Sequence, residues 1–269
     1  MNCRICKNKS EEIFSAAILN KYDIKYYQCP KCRFIQTQEP FWLDEAYKEA
    51  ITDEDTGYVT RNIEMSTMTD YILKFFFLSK KKFLDYGGGY GLFVRMMRDK
   101  GYNYYLKDQY CKNIFVKNFE IEELKENTRF ELVTAFEVFE HFTNPIEEIA
   151  KIFDYSDSIL FSTSLQRLKN ITKATDWWYF APEIGQHLSF YSYESLKFIA
   201  SKFEVYLYSN KRNLHLISKK KFLFNPVKLI SYFFYFKKFT FGYFRYRKSL
   251  VIPDFEFIKS ELLNEDMKP

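Results

Sequence analysis

Short apolar stretches alternate with amphipathic ones through the middle of the chain. Residues 92–100 and those from 145 onward have the periodicity of helices. The stretches 82–85, 102–106, 130–136 and 158–163 have the length and the aromatic or β-branched content of buried strands. Strands that alternate with helices predict a doubly wound, mostly parallel sheet of the Rossmann-like α/β class. Residues 203–208 and 215–217 predict a closing hairpin, so this domain is expected to span residues 81–220.

The segment before this domain has a helical pattern. Residues 41–80 are predicted to be a connector, with helices over 44–50 and 62–77 and an acidic loop over 52–57 between them. Tyr47 lies in the first of these helices. We interpret it as a packing aromatic rather than a residue that reaches a cleft.

The end of the chain, 221–269, is predicted to be a basic, aromatic, helical extension. No acidic residue occurs between 211 and 250, and the most apolar segment, 227–236, is too short to span a bilayer. We expect this segment to pack on the domain or on a second subunit of a homodimer. The alternative is peripheral contact of 221–250 with an anionic membrane surface.

Composition narrows the class of protein only a little. Of the 269 residues, 47% are hydrophobic and 28% are charged, as in ordinary globular domains, and the net charge of +5 is modest. The aromatic content of 20% fits AT-rich codon usage, so it indicates function only where aromatics cluster. The N-terminus lacks the apolar core of a signal peptide, and five cysteines without an export signal indicate reduced thiols. We expect a cytoplasmic protein, with peripheral attachment to the inner membrane surface as the alternative.

Four of the five cysteines form two pairs at metal-ligand spacing. Cys3-x-x-Cys6 and Cys29-x-x-Cys32 are separated by 22 residues. Each pair directs two thiolates at one ion, and two pairs complete a closed tetrahedral zinc site, which is structural rather than catalytic. The alternative, a redox Cys-x-x-Cys, gives no reason for the duplication. Residues 1–40 are therefore predicted to be a small zinc-ribbon-like module.

The most informative stretch joins the first strand of the domain to its first helix. It reads Asp85-x-Gly87-x-Gly89-x-Gly91, and glycines there let backbone N–H groups at a helix N-terminus approach a ligand. The spacing differs from the G-x-G-x-x-G pattern of dinucleotide-binding domains, because Leu92 occupies the last glycine position counted from Gly87. A purely structural turn is the alternative.

Candidate ligand-binding residues follow the next two strands as well. Asp108 comes just after the second strand, about 20 residues past the glycines, where an acid suits hydrogen bonds to ribose hydroxyls. A solvated loop residue is the alternative there. Glu137 and His141 lie in the loop after the third strand. The carboxyl edge of an open parallel sheet is where ligands bind, so these loops are expected to meet.

A late loop, residues 176–190, has neither helical nor strand periodicity and includes Glu183 and His187. Such a loop is usually functional or a lid. A neutral imidazole suits a general base near neutral pH, whereas His215 lies in a predicted strand and is expected to be structural. A catalytic metal is a weaker alternative, because nothing in the sequence sets the geometry of its ligands. Those ligands would be Glu137, Glu140, His141 and His187.

Together these motifs resemble a group of class I S-adenosylmethionine-dependent methyltransferases that carry an N-terminal Cys-x-x-Cys…Cys-x-x-Cys zinc module. Members of this group are typically encoded among genes for surface-polysaccharide or deoxysugar synthesis. The resemblance extends to about residue 217. It rests on both cysteine pairs, Asp85-x-Gly87-x-Gly89-x-Gly91, Glu137-Val138-Phe139-Glu140-His141 and Pro182-Glu183-x-Gly185-Gln186-His187-x-Ser189-Phe190.

The resemblance implies S-adenosylmethionine as methyl donor, structural Zn²⁺ and a sugar acceptor, either nucleotide-linked or part of a capsule or lipopolysaccharide precursor. The implied donor-binding residues are Asp85, Gly87, Gly89, Gly91, Asp108 and Glu137. The implied catalytic residues are His187, as general base, with His141 and Glu183. Similar sugar C-methyltransferases usually carry Glu-His in the late loop. Here the pair is Gln186-His187, and because a neutral Gln cannot share the work of a base, O-methylation is favoured over C-methylation.

Two other functions compete with this one. An RNA or protein methyltransferase would use the zinc module and the basic tail to hold a polymer. The module shows no interleaved basic and aromatic residues, so nucleic acid is not an expected partner. The third alternative is a non-enzymatic zinc-bearing scaffold at the membrane surface, in which the glycine turn is vestigial.

Overall fold

The computed structural model describes residues 1–48, 57–78, 80–125, 127–168 and 170–235. Its strands are β1 (Glu11–Ile18), β2 (Tyr22–Gln28), β3 (Ile35–Thr37), β4 (Lys82–Tyr86), β5 (Asn103–Lys107), β6 (Leu132–Phe136), β7 (Ser158–Ser162), β8 (Ser189–Phe190), β9 (Tyr206–Ser209) and β10 (Leu214–Ser218). Its helices are α1 (Leu43–Ala46), α2 (Tyr58–Phe76), α3 (Leu92–Asp99), α4 (Pro145–Phe153), α5 (Tyr193–Lys202) and α6 (Pro226–Tyr235).

The main sheet has six strands in the order β5-β4-β6-β7-β10-β9. The first four are parallel, and β10 runs antiparallel to both of its neighbours. All five residues of β7 are buried, as expected of a parallel strand that is covered on both faces. The predicted Rossmann-like, mostly parallel sheet and its closing hairpin are confirmed.

Two hydrophobic cores cover the faces of this sheet. Adjacent residues of a strand point to opposite faces, so Phe83 packs in one core and Leu84 in the other. Helices α2, α3 and α6 contribute to the first core, and α4 and α5 contribute to the second. The second core also contains Cys3, Cys29 and Cys32, so the cysteine cluster packs directly against the main domain.

The N-terminal strands form a second sheet that is not confined to residues 1–40. Its order is β1-β2-β3-β8, and β8 comes from the late loop of the main domain. A side-chain bond supports the same junction, because Trp42 Nε1 donates to the carbonyl of Gly185 at 2.8 Å. The predicted module is therefore joined to the loop that contains His187.

Several element boundaries differ from the sequence predictions. The connector helix predicted over 44–50 is a single turn at α1, and the predicted loop 52–57 falls, except for Gly57, outside the described residues. Helix α2 begins four residues earlier than predicted. Strand β6 begins at Leu132 rather than Phe130, because the Phe130 N–H donates to the Tyr155 carbonyl at 2.8 Å.

The described part of the C-terminal extension packs on the main domain. Val227 and Ile230 of α6 are buried in the core that also contains residues of α2. Lys220 Nζ donates to the carbonyl of Phe76, the last residue of α2, at 2.7 Å. The rest of the predicted extension, 236–269, lies outside the described residues. Within the described ranges, no helix is both long enough and apolar enough to cross a bilayer.

Candidate active site

The four paired cysteines converge as predicted. The sulfurs of Cys3 and Cys32 lie 3.5 Å apart, those of Cys6 and Cys29 lie 3.4 Å apart, and all four lie within 4.8 Å of one another. Tetrahedral zinc with Zn–S bonds of about 2.3 Å separates its sulfurs by about 3.8 Å, so the set fits this ion. All four are free thiols rather than disulfides.

Both cysteine pairs have the same backbone turn. The residue after the second cysteine, Lys7 or Arg33, has a positive φ (62° and 57°), and its N–H donates to the carbonyl of the first cysteine at 3.0 and 2.8 Å. The turn folds each pair so that both sulfurs face the same point. Two equivalent turns on separate segments are what a shared ion requires.

The glycine turn lies between β4 and α3, and three of its glycines have positive φ. The values are 69° for Gly87, 60° for Gly89 and 89° for Gly91, a conformation that other L-residues rarely adopt. Gly88 is constrained by space instead, because a Cβ there would lie closer than 3.0 Å to both Asp85 and Leu106. The turn therefore needs glycine at four successive or near-successive positions.

Asp85 lies beneath this turn with 2% of its surface exposed. The Thr134 hydroxyl of β6 donates to its Oδ1 at 2.6 Å. Burial raises the pKa of Asp85 to about 8, and the charge of Asp108 acts in the same direction. A buried carboxyl of this kind is stabilised in its charged form by a nearby cation.

Asp108 lies beside the glycine turn, as its position after β5 predicts. Its Oδ2 accepts the Gly89 N–H at 2.8 Å. Its Oδ1 accepts the N–H groups of Tyr110 and Cys111, at 2.8 and 2.7 Å. The carboxylate therefore ties the loop after β5 to the glycine turn, and Oδ2, which accepts one of these bonds, keeps lone-pair capacity for a ligand hydroxyl.

Glu137 lies at the carboxyl end of β6 with a φ of 53°. Its N–H donates to Ser162 Oγ at 2.9 Å, and the Ser162 hydroxyl donates to its Oε1. Burial and the charge of Glu140 raise the pKa of Glu137 to about 7, while Arg61 acts in the opposite direction. Glu137 is thus a half-buried carboxyl at the end of β6, and the next residue, Val138, lies against Gly87 of the glycine turn.

The two predicted catalytic histidines come together. The rings of His141 and His187 are 5.1 Å apart, centroid to centroid, and nearly perpendicular. His141 ends a 3-10 turn, Phe139–His141, and the Leu188 N–H donates to the Glu140 carbonyl at 2.8 Å. This backbone bond holds the late loop against the loop after β6.

Each imidazole uses Nδ1 for a neighbouring group. His187 Nδ1 lies 2.7 Å from the carbonyl of Tyr179, and His141 Nδ1 lies 2.9 Å from the Tyr47 hydroxyl. A carbonyl only accepts hydrogen bonds, so His187 Nδ1 carries the proton and Nε2 keeps its lone pair. Tyr47 thus does more than pack against other aromatics, because its hydroxyl contacts a predicted catalytic histidine.

Burial keeps both imidazoles neutral. It lowers the pKa of His187 below its usual range, and the Tyr179 carbonyl opposes this effect. It lowers the pKa of His141 to about 3, with a further contribution from His187. A neutral histidine with a free Nε2 can accept a proton from a hydroxyl.

Glu140 is fully buried beside the histidines. Burial raises the pKa of Glu140 to about 7. One of its oxygens and one nitrogen of each imidazole lie within 4.8 Å of one another. Three groups proposed from sequence as metal ligands, Glu140, His141 and His187, are thus adjacent.

The remaining predicted residues occupy different environments. Glu183 is exposed on the late loop, and its charge raises the pKa of His187. Gln186 is buried, and its Nε2 donates to the Ala46 carbonyl at 2.8 Å. His215 is buried in β10 with Ser209 and the Thr163 carbonyl as partners, which confirms its structural assignment.

Sequence patterns missed several residues of this site. Gly88 was not distinguished from its neighbours, because its constraint comes from the packing of Asp85 and Leu106 beneath it. Arg61 of α2 was missed too, although its charge lowers the pKa of both Glu137 and Glu140. Its helical pattern gives no indication of a cleft.

Solved structures that resemble this chain include three at low sequence identity. The calicheamicin-biosynthesis methyltransferase CalO1 with bound SAH is 11% identical, with 65% of this chain and 60% of CalO1 covered and a TM-score of 0.41. Monomeric WbdD is 17% identical, with 62% of this chain and 42% of WbdD covered and a TM-score of 0.39. The plantazolicin methyltransferase BpumL with a substrate analogue and SAH is 14% identical, with 66% of this chain and 93% of BpumL covered and a TM-score of 0.43. The chain thus spans less than two thirds of CalO1 and WbdD. With TM-scores below 0.5, these likenesses say nothing about substrate. No curated protein matches the chain.

A family model described as a methyltransferase domain matches residues 60–209, more than half of the 269 residues. The matched region includes the glycine turn, the loops that contain Asp108 and Glu137, and the two histidines His141 and His187. The prediction of a methyltransferase is confirmed. The chain belongs to the methyltransferase domain family.

Proposed function

We propose that this protein transfers a methyl group from S-adenosylmethionine to a hydroxyl group of a sugar. The observation that carries the proposal is His187, a half-buried neutral imidazole whose Nδ1 is committed to the Tyr179 carbonyl. Its Nε2 has no hydrogen-bond donor among the described residues and can accept a proton. It lies at the same edge of the sheet as the glycine turn. Methyl transfer to oxygen requires a bound donor and, close to it, a base that removes the acceptor's proton. In this proposal the glycine turn binds the donor and His187 is the base.

The residues around the glycine turn suit a positively charged donor. S-adenosylmethionine supplies a methyl group on a sulfonium cation and also carries an ammonium group. Asp85 and Glu137 have pKa values raised to about 8 and about 7, so each gains from a nearby cation. In the proposed complex, Gly87, Gly89 and Gly91 leave room for the donor, and Asp108 binds its ribose hydroxyls.

The reaction requires one proton transfer. The acceptor oxygen forms a bond to the methyl carbon as the sulfur–carbon bond breaks, and the hydroxyl proton moves to His187 Nε2. His141 contributes a second polar ring at the same place, held by Tyr47. Glu183, although exposed, favours the protonated form of His187 that follows proton transfer.

A sugar hydroxyl is favoured over a sugar carbon by the residue before the base. Removal of a proton from carbon needs a stronger basic centre, and Gln186 is a neutral side chain held by the Ala46 carbonyl. The sugar class itself comes from the motif resemblance. A nucleotide-linked sugar or a capsule or lipopolysaccharide precursor is the proposed acceptor, and structural zinc at the cysteine cluster is part of the proposal.

Calorimetry and a panel of nucleotide sugars test the proposal. We expect S-adenosylmethionine to bind, and one panel member to gain the mass of one methyl group. His187→Ala should lower turnover by roughly 10²–10⁴-fold with donor affinity near wild type, because a base acts in the chemical step. His187→Gln, which can still donate to the Tyr179 carbonyl, should be equally impaired.

The arms of this experiment separate the parts of the proposal. Failure of both S-adenosylmethionine and its demethylated product to bind would overturn the donor assignment. Methylation of carbon rather than oxygen would overturn the acceptor assignment. Unchanged turnover in His187→Ala would remove its role as base.

A further inference from the structure

We propose that Glu140, His141 and His187 bind a divalent transition-metal ion of the zinc type, at a site separate from the cysteine cluster. The ligand atoms of these three residues lie within 4.8 Å of one another. Tetrahedral zinc with ligands at roughly 2.1 Å separates them by about 3.4 Å, so binding requires side-chain shifts on the order of an ångström.

The buried carboxylate of Glu140 is the strongest indication of a cation-binding site. Its side chain is fully buried, and within the described part of the chain neither of its oxygens has a hydrogen-bond partner of acceptable geometry. The hydroxyls of Tyr179 and Thr163 lie beside it. Their 3.2 Å hydrogen bond to each other uses one of the two hydroxyl protons, so the other proton can serve at most one Glu140 oxygen. Buried polar atoms are nearly always paired, so at least one of these oxygens calls for a further partner such as a cation.

The two imidazoles have the arrangement that metal-binding histidines show. A ligating histidine usually donates its other ring N–H to a carbonyl or another fixed oxygen, which sets the ring orientation. His187 Nδ1 faces the Tyr179 carbonyl, and His141 Nδ1 faces the Tyr47 hydroxyl. His187 therefore keeps Nε2 for the ion, whereas the ring of His141 also lies against the backbone of Glu137 and Gln186.

The ligand chemistry selects the kind of ion. Two imidazole nitrogens and one carboxylate oxygen suit zinc and similar transition metals, whereas magnesium and calcium prefer oxygen ligands. Three protein ligands leave a fourth position open. The cysteine cluster offers only sulfur, so the two sites differ in ligand type.

If His187 is the base of the proposed function, a metal ion at this site competes with the acceptor proton. The ion and the acceptor proton both need the lone pair of His187 Nε2, and only one of them can have it. Occupation of the site should therefore inhibit methyl transfer. Zinc in excess of the amount held by the cysteine cluster is the expected inhibitor.

Cobalt(II) titration followed by absorption spectroscopy tests the site directly. Cobalt bound to four thiolates shows intense thiolate-to-metal charge transfer, which cobalt bound by imidazole and carboxylate lacks. The wild type should take up cobalt in a second step that adds visible d–d bands without charge transfer. Glu140→Gln and His187→Ala should weaken that step by at least about tenfold, because each loses a ligand.

Glu147→Gln is the matched control, since Glu147 is an exposed carboxylate in the first turn of α4. It should keep the second step unchanged. Absence of the step in the wild type, or wild-type cobalt affinity in both ligand variants, would overturn the site. His187→Ala guards against a folding defect of Glu140→Gln, because it removes a different ligand from a less buried position.

Zinc titration of turnover separates this inference from the proposed function. Wild-type turnover should fall as the second site fills. Activation by the second ion would overturn the competition for Nε2. If His187→Ala keeps wild-type turnover while cobalt still binds the wild type, the base assignment fails and the site stands. If the wild type binds no second cobalt and His187→Ala is inactive, the metal site is wrong and the assignment of His187 as the base stands.

Discussion

Asp85, which we propose to bind the donor, is a residue whose burial costs the folded state stability. Its carboxyl lies in the interior under the glycine turn, and burial raises its pKa to about 8. An unfolded aspartate ionises near pH 3.9, so between about pH 4 and pH 8 the native state holds a proton that the unfolded state has released. The free energy of unfolding therefore falls as pH rises through this window.

Asp85→Asn should change stability and donor binding in opposite directions. The variant lacks the cost of the buried acid, so at about pH 7 to 8 its free energy of unfolding should exceed that of the wild type by at least about 1 kcal/mol. Its affinity for S-adenosylmethionine should fall by about tenfold or more, because a charge-assisted contact is lost. Chemical denaturation and calorimetry measure the two effects.

The pH dependence of binding provides the internal control. A cation favours ionised Asp85, so wild-type affinity for the donor should rise between about pH 6 and pH 8, and Asp85→Asn should flatten this rise. Weaker binding with unchanged pH dependence would show that Asp85 is not the titrating group.

At the scale of an element, the turn between β4 and α3 depends on glycine for two different reasons. Gly87 and Gly91 have positive φ and would also bring a Cβ to 2.7 Å from Val138 and 2.6 Å from Val116. Gly88 has no such φ, but a Cβ there would meet Asp85 and Leu106. The turn is thus constrained both by its backbone conformation and by the side chains that pack against it.

Gly88→Ala should destabilise the protein and weaken donor binding together. The added methyl group displaces both the Asp85 carboxylate and Leu106, a case of overpacking that costs about 1–3 kcal/mol. Thermal unfolding and calorimetry with S-adenosylmethionine measure the two losses.

Gly57→Ala is the comparison for this variant. Gly57 precedes α2 with a φ of −82°, which alanine adopts freely, so its effect should stay within about 1 kcal/mol and donor affinity should be unchanged. Equal effects of the two substitutions would show that the space beneath Gly88 is not the cause.

At the scale of the whole molecule, the cysteine cluster and the active-site loop belong to one structure. Strand β3 lies between the second cysteine pair and α1, and it pairs with β8, which follows His187 by one residue. The Ser192 hydroxyl at the start of α5 donates to the Cys32 carbonyl at 2.7 Å. An ion at the cysteines would therefore stabilise the position of the base as well as the N-terminal fold.

Removal of the proposed zinc should impair catalysis more than donor binding. Chelation should lower the midpoint of thermal unfolding by roughly 10 °C or more. It should speed amide exchange in residues 188–191 and lower turnover, while donor binding at the glycine turn persists. Mass-resolved hydrogen exchange checks the local effect.

Cys29→Ser should reproduce these effects, and Cys111→Ser should keep the metal, because Cys111 lies outside the cluster. If chelation left exchange in residues 188–191 unchanged, the link between cluster and loop would be wrong.

The sequence by itself determined the elements and the nature of their chemistry. Alternation of apolar strands and amphipathic helices specified the parallel sheet, since that pattern buries a core in few other ways. Spacing specified the two cysteine pairs and the glycine turn, because both depend on local backbone geometry. The order of loops along the strands placed Asp85, Asp108 and Glu137 at one edge of the sheet.

Only the tertiary structure decided which side chains meet. Tyr47, Glu140 and His187 come from three distant segments, and their contacts depend on how β8 pairs with β3 and how Leu188 bonds to Glu140. The pKa shifts of Asp85 and Glu137 arise from burial, which depends on the assembled cores. Periodicity and motif spacing report only local structure. Neither the Tyr47–His141 bond nor the constraint on Gly88 could therefore be predicted from the sequence.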